Sequence, residues 1–192
     1  MRLYDLQGQR KYVTPAERKA FLQAAEGATE EVRTFCGTLV YSGCRISEAL
    51  ALTAARVDIG DGVLVIESLK KRRKGIYRAV PVPAPFLSAL DLTHDLQAAR
   101  RQPDGGTGMR LWEWSRSTAW RRVCEVMETA GITGLHATPK GLRHGFGIKA
   151  VTSQVPLNMT QRWLGHAQLS TTSIYLDAVG AEEKEIAARM WD

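Results

Sequence analysis

A mostly helical α+β domain with one small sheet is the fold class this sequence predicts, and three observations lead there. Apolar residues recur at helical spacing on both sides of a single β-rich stretch. That stretch, between residues 62 and 82, holds two short β-branched runs separated by a basic turn. The composition, 44% hydrophobic and 24% charged over 192 residues, can bury one substantial core and sets aside disorder, collagen and coiled coil. No run approaches the ~18 apolar residues of a membrane span. Met1-Arg2-Leu3-Tyr4-Asp5 lacks the apolar stretch of a signal peptide, so the expected compartment is the cytosol, with no membrane partner.

The first helix opens at Thr14-Pro15-Ala16-Glu17, with Thr14 as cap, proline in the first position and Glu17 at the capping-box spacing, and runs to about residue 25. Val32, Phe35, Cys36, Leu39 and Val40 form a helical stripe that ends at Gly43, and another helix follows over about 44–52. Residues 62–66 and 77–82 read as strands. Helical patterning returns over 85–101, and residues 102–108 read as a flexible loop. A helix from about Ser117 places Trp120, Val123, Cys124 and Met127 on one face. Thr138-Pro139 opens the next, with Leu142 and Phe146 spaced toward the core. Short helices fit 157–164 and 169–177, and a last one over 181–191 has Ile186 and Met190 as its apolar pair. The three cysteines, Cys36, Cys44 and Cys124, are odd in number and lack a C-x-x-C spacing. They predict small buried residues rather than a zinc site or disulfides.

The formal net charge of +6 is only a mild bias toward a polyanion, so the placement of the cations matters more. Arg45 stands at a helix start with Glu48 three positions on. This is either an ordinary i, i+3 surface pair or a guanidinium oriented by a carboxylate at an anion-favouring helix end. Lys70, Lys71, Arg72, Arg73 and Lys74, with Arg78 beyond, gather at the tip of the predicted hairpin. Such a run tracks a phosphate backbone, or keeps a solvated turn from aggregating. Lys140 and Arg143 fall in the first turn of their helix, where cations oppose the macrodipole at a cost of about 0.3–1 kcal/mol unless an anion binds between them. Gly141, Gly145 and Gly147 on the same helix allow another backbone to approach closely.

Taken in order, Gly43-Cys44-Arg45-Ile46-Ser47-Glu48, the basic hairpin, Leu142-Arg143-His144, Leu164-Gly165-His166 and Tyr175 resemble the catalytic domain of the tyrosine recombinases, the phage integrase family. The resemblance runs from about Thr14 to the C-terminus. It implies that family's catalytic-domain fold, with a small antiparallel sheet, over residues 14–192. Residues 1–13 would form a short arm in place of the N-terminal domain that usually completes a DNA clamp.

By this resemblance the chain is a site-specific recombinase or integrase of a mobile element that cleaves and rejoins DNA through a 3′-phosphotyrosyl link. Tyr175 is then the nucleophile, Arg45 and Arg143 hold the phosphate oxygens, and His166 hydrogen-bonds the phosphate. Glu48 supports the first arginine. Lys70 is the general acid toward the departing 5′-oxygen, with Lys71 close behind. Neither metal nor cofactor is called for, since the phosphotyrosyl bond retains the energy of the broken phosphodiester.

Arg116, Ser117 and Thr118, at a helix start, join Lys71, Arg72, Arg73, Lys74 and Arg78 as expected DNA contacts. The implied partners are double-stranded DNA, further copies of the chain (dimer to tetramer on DNA, through the tail helix with Trp191) and accessory DNA-bending proteins. The compartment implied is a bacterial cytoplasm, with nucleoid association when DNA is bound. One departure stands out: the family usually has histidine three residues before the second arginine, in acid/base exchange with the tyrosine, and this chain has Lys140, which by the resemblance stays among the catalytic residues as a stabiliser of tyrosinate or, with a lowered pKa, a base. Two alternatives share the fold. One is a DNA-binding protein without strand transfer; the other is topoisomerase-like relaxation without synapsis. A metal-dependent nuclease fits least, for want of paired carboxylates.

Overall fold

Capping chemistry decides where the helices begin. The computed structural model describes residues 3–69, 75–177, 187–188 and 190–191. Helix α1 (Pro15–Glu26) starts from a reciprocal box in which the Thr14 hydroxyl accepts from the Glu17 amide and the Glu17 carboxylate accepts from the Thr14 amide. Helix α2 (Glu30–Ser42) stops at Gly43, whose φ of 61° lies in the left-handed region. A Cβ there would stand 2.5 Å from the Phe146 ring, so glycine serves both the turn and the packing. Helix α3 (Ile46–Leu50) comes next, with Arg45 as its N-cap residue.

Strands β1 (Val57–Asp58), β2 (Val63–Glu67) and β3 (Tyr77–Pro81) form an antiparallel sheet in the order β1-β2-β3. Leu64 pairs with Val80 and Ile66 with Arg78. The two-residue period therefore sends Arg78 to the same buried face as Val80. The expected helix over 85–101 is divided into α4 (Ala84–His94) and α5 (Leu96–Arg100). Asp95 makes the break, adopting φ 46° and capping α5 by accepting from the Ala98 amide. The stretch expected as a flexible loop is an organised turn: the Asp104 carboxylate accepts from the Gly106 and Gly108 amides at 3.0 and 2.8 Å.

Helix α6 (Arg116–Thr129) begins on the Ser115 cap and buries Ala119, Val123, Val126 and Met127. Trp120 is 47% exposed, so the expected core face is corrected: Trp120 lies outside it, and Ala119 and Val126 lie within. Helix α7 (Pro139–Thr152) is capped by Thr138. It leads to α8 (Leu157–Leu164), α9 (Ser170–Ser173) and a 3-10 turn over Ile174–Asp177. Of the predicted tail helix, most residues, Ile186 among them, lie outside the described residues, while Met190 and Trp191 are exposed. Among the described residues no helix is long and apolar enough to cross a membrane. Cys36 and Cys44 are buried and Cys124 half-buried, all as free thiols.

The main core gathers Phe21, Phe35, Leu39, Leu64 and Met127 from helices and sheet, with Trp112 from the connection before α6. A second, smaller one holds Leu3, Tyr12, Ile148, Leu164 and Tyr175. From residue 3 onward the N-terminal stretch packs against the rest of the domain. Tyr4 bridges Arg10, the Lys11 amide donates to the Leu3 carbonyl, and the Val13 amide donates to the Gly141 carbonyl. Gly145 of α7 makes this approach possible, since a Cβ there would lie 2.4 Å from the Val13 carbonyl oxygen. Gly145→Ala is expected to destabilise the chain by about 1–3 kcal/mol through overpacking against backbone, read as a lower urea midpoint at unchanged slope.

Candidate active site

The turn that ends α2 and starts α3 carries Arg45, and one helical turn on, Glu48 points inward with a side chain that is 0% exposed. Glu48 Oε1 accepts from Arg45 Nη1 at 2.7 Å, and Oε2 accepts from the Arg45 amide at 3.0 Å and from Arg78 Nη2 at 2.6 Å. Burial pushes the carboxyl up, but the charge of Arg78 and the hydrogen bonds from Arg45 and Arg78 outweigh it, and the group stays below the ordinary glutamate range. The ordinary surface pair open to the sequence is thus replaced by a buried, shared carboxylate.

Arg78, expected among the hairpin's DNA contacts, is used inside the protein. It is 6% exposed, with Nε donating to the Trp163 carbonyl at 2.6 Å and Nη1 to the Ser68 hydroxyl at 3.1 Å. Arg143 is likewise turned in, its Nη1 donating to the Gly43 carbonyl and its Nη2 to the Leu164 carbonyl, both at 2.7 Å. Burial and the neighbouring Arg45 lower its guanidinium to about 10, still charged at neutral pH. Among the ion pairs of the described residues, Arg45 and Arg78 share Glu48 and Arg143 has no carboxylate partner. The group therefore carries excess positive charge, which suits an anion.

Beside these cations lies Tyr175, 0% exposed. Its ring stacks on His166, with centroids 6.3 Å apart and planes 15° apart, and meets His144 edge-on at 5.9 Å. The Tyr175 hydroxyl lies 3.3 Å from His144 Nδ1, and His166 Nδ1 lies 2.8 Å from the Thr172 hydroxyl. Gly147 makes room for the ring, since a Cβ there would come within 2.4 Å of Tyr175 Cζ. Burial raises the tyrosine to about 12 against the pull of Arg143 and Arg45. Burial, then nearby cations, lowers His144 to about 4 and His166 to about 3. Tyrosine and both histidines are neutral at pH 7.

The structure thus brings together Tyr175, Arg45, Arg143, His166 and Glu48, and adds Arg78. Lys140, in the first turn of α7, is exposed, whereas Arg143 one turn on is buried. Arg116 and Ser117 are exposed and Thr118 half-buried at the start of α6, where the Ser115 hydroxyl lies 2.9 Å from both the Ser117 and Thr118 hydroxyls. Lys70, Lys71, Arg72, Arg73 and Lys74 lie outside the described residues. The residue that sequence reasoning left without a role is His144. Its signal was available: a histidine directly after Arg143 on a helix cleared by Gly141, Gly145 and Gly147 faces a packed neighbour.

Fold and site together define a mostly helical α+β domain with a tyrosine hydroxyl sheltered beside a cluster of guanidinium groups. The chain belongs to the phage integrase family, whose sequence model it matches over residues 11–181. It is 29% identical over 164 residues to tyrosine recombinase XerD of Pseudomonas aeruginosa, covering 82% of this chain and 53% of that one. With XerD of Mycobacterium leprae it shares 33% identity, covering 71% and 45%. It spans about half the length of these curated relatives. Among solved structures, the fold matches XerA recombinase with a TM-score of 0.77 at 24% identity, covering 93% of this chain and 64% of that one. It also matches XerH bound to its difH substrate in a pre-cleavage complex, with a TM-score of 0.72 at 20% identity, covering 98% and 60%.

The depressed histidines fix the sign of a pH effect. His94, His144 and His166 are held below 6.5 in the fold, so the unfolded chain binds more protons. Stability is then expected to fall as pH drops from about 6.5 toward about 4, as these histidines charge on unfolding. Below about 4.5 the depressed Glu48 adds to the loss in the same sense. Urea unfolding across pH 4–8 checks this, and a profile flat from pH 7 to 5 contradicts it.

Proposed function

We propose that this chain is a site-specific recombinase that cleaves and rejoins double-stranded DNA through a 3′-phosphotyrosyl intermediate. The observation that carries the reading is the meeting of Tyr175, His166, Arg45 and Arg143, drawn from separate parts of the sequence, around one buried carboxylate. Family membership supports it, as does a fold shared with XerH bound to DNA and with a lambda integrase dimer bound to a core site.

In this reading Arg45 and Arg143 hold the non-bridging oxygens of the scissile phosphate and stabilise the charge of the pentacoordinate transition state. His166, neutral and turned by Thr172 through Nδ1, hydrogen-bonds the same phosphate through Nε2. The Tyr175 oxygen bonds to phosphorus as the bond to the 5′-oxygen breaks. Lys70 supplies the proton to that oxygen, with Lys71 as the neighbouring alternative. The chemistry runs without a metal, because cleavage and rejoining exchange one phosphoester for another. Lys71, Arg72, Arg73 and Lys74, with Arg116, Ser117 and Thr118, contact the backbone. Arg78 acts inside the protein by holding Glu48. Lys140, exposed at the start of α7, adds positive charge toward the DNA.

Nicked suicide fragments resolved on denaturing gels test the reaction. The unaltered chain is expected to form a covalent adduct that Tyr175→Phe abolishes, and an adduct that survives Tyr175→Phe overturns the assignment. Arg45→Ala and Arg143→Ala are each expected to slow cleavage by about 10²–10³-fold. Arg116→Ala should weaken binding and flatten its salt dependence, with little effect on cleavage at saturation. Assembly on DNA is proposed to run through the tail that carries the exposed Met190 and Trp191. Trp191→Ala is then expected to reduce self-association in sedimentation at unchanged folding, and unchanged assembly counts against that route.

A further inference from the structure

We propose that His144 is a catalytic residue: the base that takes the Tyr175 hydroxyl proton during cleavage and returns it during rejoining. The inference rests on the reading of Tyr175 as nucleophile. It relocates the proton exchange from position 140, where this chain has lysine, to a residue one turn further along α7. Lys140 is exposed and its ammonium offers only donors, whereas His144 is 0% exposed and its Nδ1 lies 3.3 Å from the Tyr175 hydroxyl. A contact somewhat longer than an ideal hydrogen bond is usual for catalytic groups before substrate binds.

The hydrogen-bond balance fixes the direction of that contact. Among the described residues His144 Nε2 is buried without a partner, and the Tyr175 hydroxyl meets His144 alone. If Nδ1 carried the proton and donated to tyrosine, both the phenolic O–H and Nε2 would be left unpaired. If Nε2 carries it, the phenol donates to Nδ1 and only Nε2–H is unpaired. Each unpaired buried group costs about 1–3 kcal/mol, so the second arrangement prevails. The nucleophile's proton is already aimed at the lone pair of Nδ1.

Lys140 and Arg143 on α7, and Lys11 from the N-terminal segment, are among the cations that depress His144, after burial itself. A phosphodiester held by Arg143 offsets that positive field, so the basicity of His144 rises once DNA is in place. The step balances. The Oη–P bond forms as the P–O5′ bond breaks, the Oη proton moves to Nδ1 to give an imidazolium, and the hairpin lysine protonates the departing 5′-oxygen. In rejoining, the 5′-hydroxyl attacks, the P–Oη bond breaks and the imidazolium returns its proton to Tyr175.

The test uses the full chain and nicked suicide duplexes whose scissile phosphate has either the natural 5′-oxygen or a bridging 5′-sulfur, a leaving group that needs no proton. His144→Asn places an amide near Nδ1 that hydrogen-bonds but accepts no proton. It is expected to bind DNA and melt like the parent, yet to form the adduct about 10²-fold more slowly or worse with both leaving groups. Parent-like cleavage by His144→Asn overturns the proposal. So does a defect that the 5′-sulfur erases, or the same loss in Lys140→Gln but not in His144→Asn. If asparagine unsettles the core, His144→Gly with added imidazole reads the same point: restored adduct formation is expected, and failure of imidazole to restore it counts against a base. An adduct abolished by Tyr175→Phe but unaffected at His144 refutes this inference alone. No adduct from the unaltered chain refutes the recombinase reading and this inference with it.

Discussion

Glu48 brings a negative charge to a place that water does not reach, and such a charge persists only where cations and N–H donors replace its hydration. Its two oxygens meet Arg78 and Arg45, and each arginine fixes something further. Arg78 reaches the Trp163 carbonyl, so one carboxylate ties α3 to β3 and, through β3, to α8. Arg143 closes the other side by joining the end of α2 to the end of α8 through two carbonyls. A buried ion pair adds little net stability over an apolar replacement, but removing one partner costs about 3–5 kcal/mol. The network therefore acts by fixing geometry. Among the described residues Glu48 takes one N–H of the Arg45 guanidinium, and the others stay available to a ligand, while all three nitrogens of Arg78 are engaged.

Helix α7 is where this polar frame meets the second core. Its inward face carries Arg143 toward the ends of α2 and α8 and His144 toward Tyr175, and missing side chains along it let neighbours come close. Gly141 meets the His136 carbonyl, Gly145 the Val13 carbonyl and Gly147 the tyrosine ring. A helix with three glycines sacrifices about 1 kcal/mol of propensity at each relative to alanine. Tertiary contact offsets that cost here, and the close packing keeps Tyr175 dry.

Much of this is legible in the chain itself. Capping signals at Thr14, Thr138 and Gly43 mark real ends, because caps are local chemistry and depend little on the rest of the fold. The order of Arg45, Arg143, His166 and Tyr175 singles out residues that the fold brings together. The features that stay hidden depend on three-dimensional company. The helix over 85–101 breaks at Asp95 because an aspartate can take a left-handed turn and cap the next helix, a choice that apolar periodicity does not register. Charge alone groups Arg78 with the hairpin cations, although alternation with Val80 places it on the buried face. His144 sits within a motif yet has no role in the sequence alone, since nothing short of the fold reveals that its neighbour is a phenol 31 residues away.

The electrostatic state of the site ties these features together. Three guanidinium groups face one carboxylate, two histidines are neutral, and a tyrosine is held well above its ordinary range. Each of these departures has burial as its largest cause, and the cations resist it only for the tyrosine, whose ionised form Arg143 and Arg45 favour. In the free protein the frame thus holds uncompensated positive charge next to a neutral, protonated tyrosine. In the proposed function a phosphodiester supplies the missing counter-charge. Seated on Arg45 and Arg143 as proposed, it would relieve the repulsion between them and weaken the positive field that adds to burial in keeping the histidines unprotonated. Its transition state gathers more negative charge than its ground state, so the same arginines bind it more tightly as the reaction proceeds. In the proposed reaction substrate binding and activation of Tyr175 are then one electrostatic event, and the burial that raises Tyr175 in the free protein also makes the response to an incoming phosphate large.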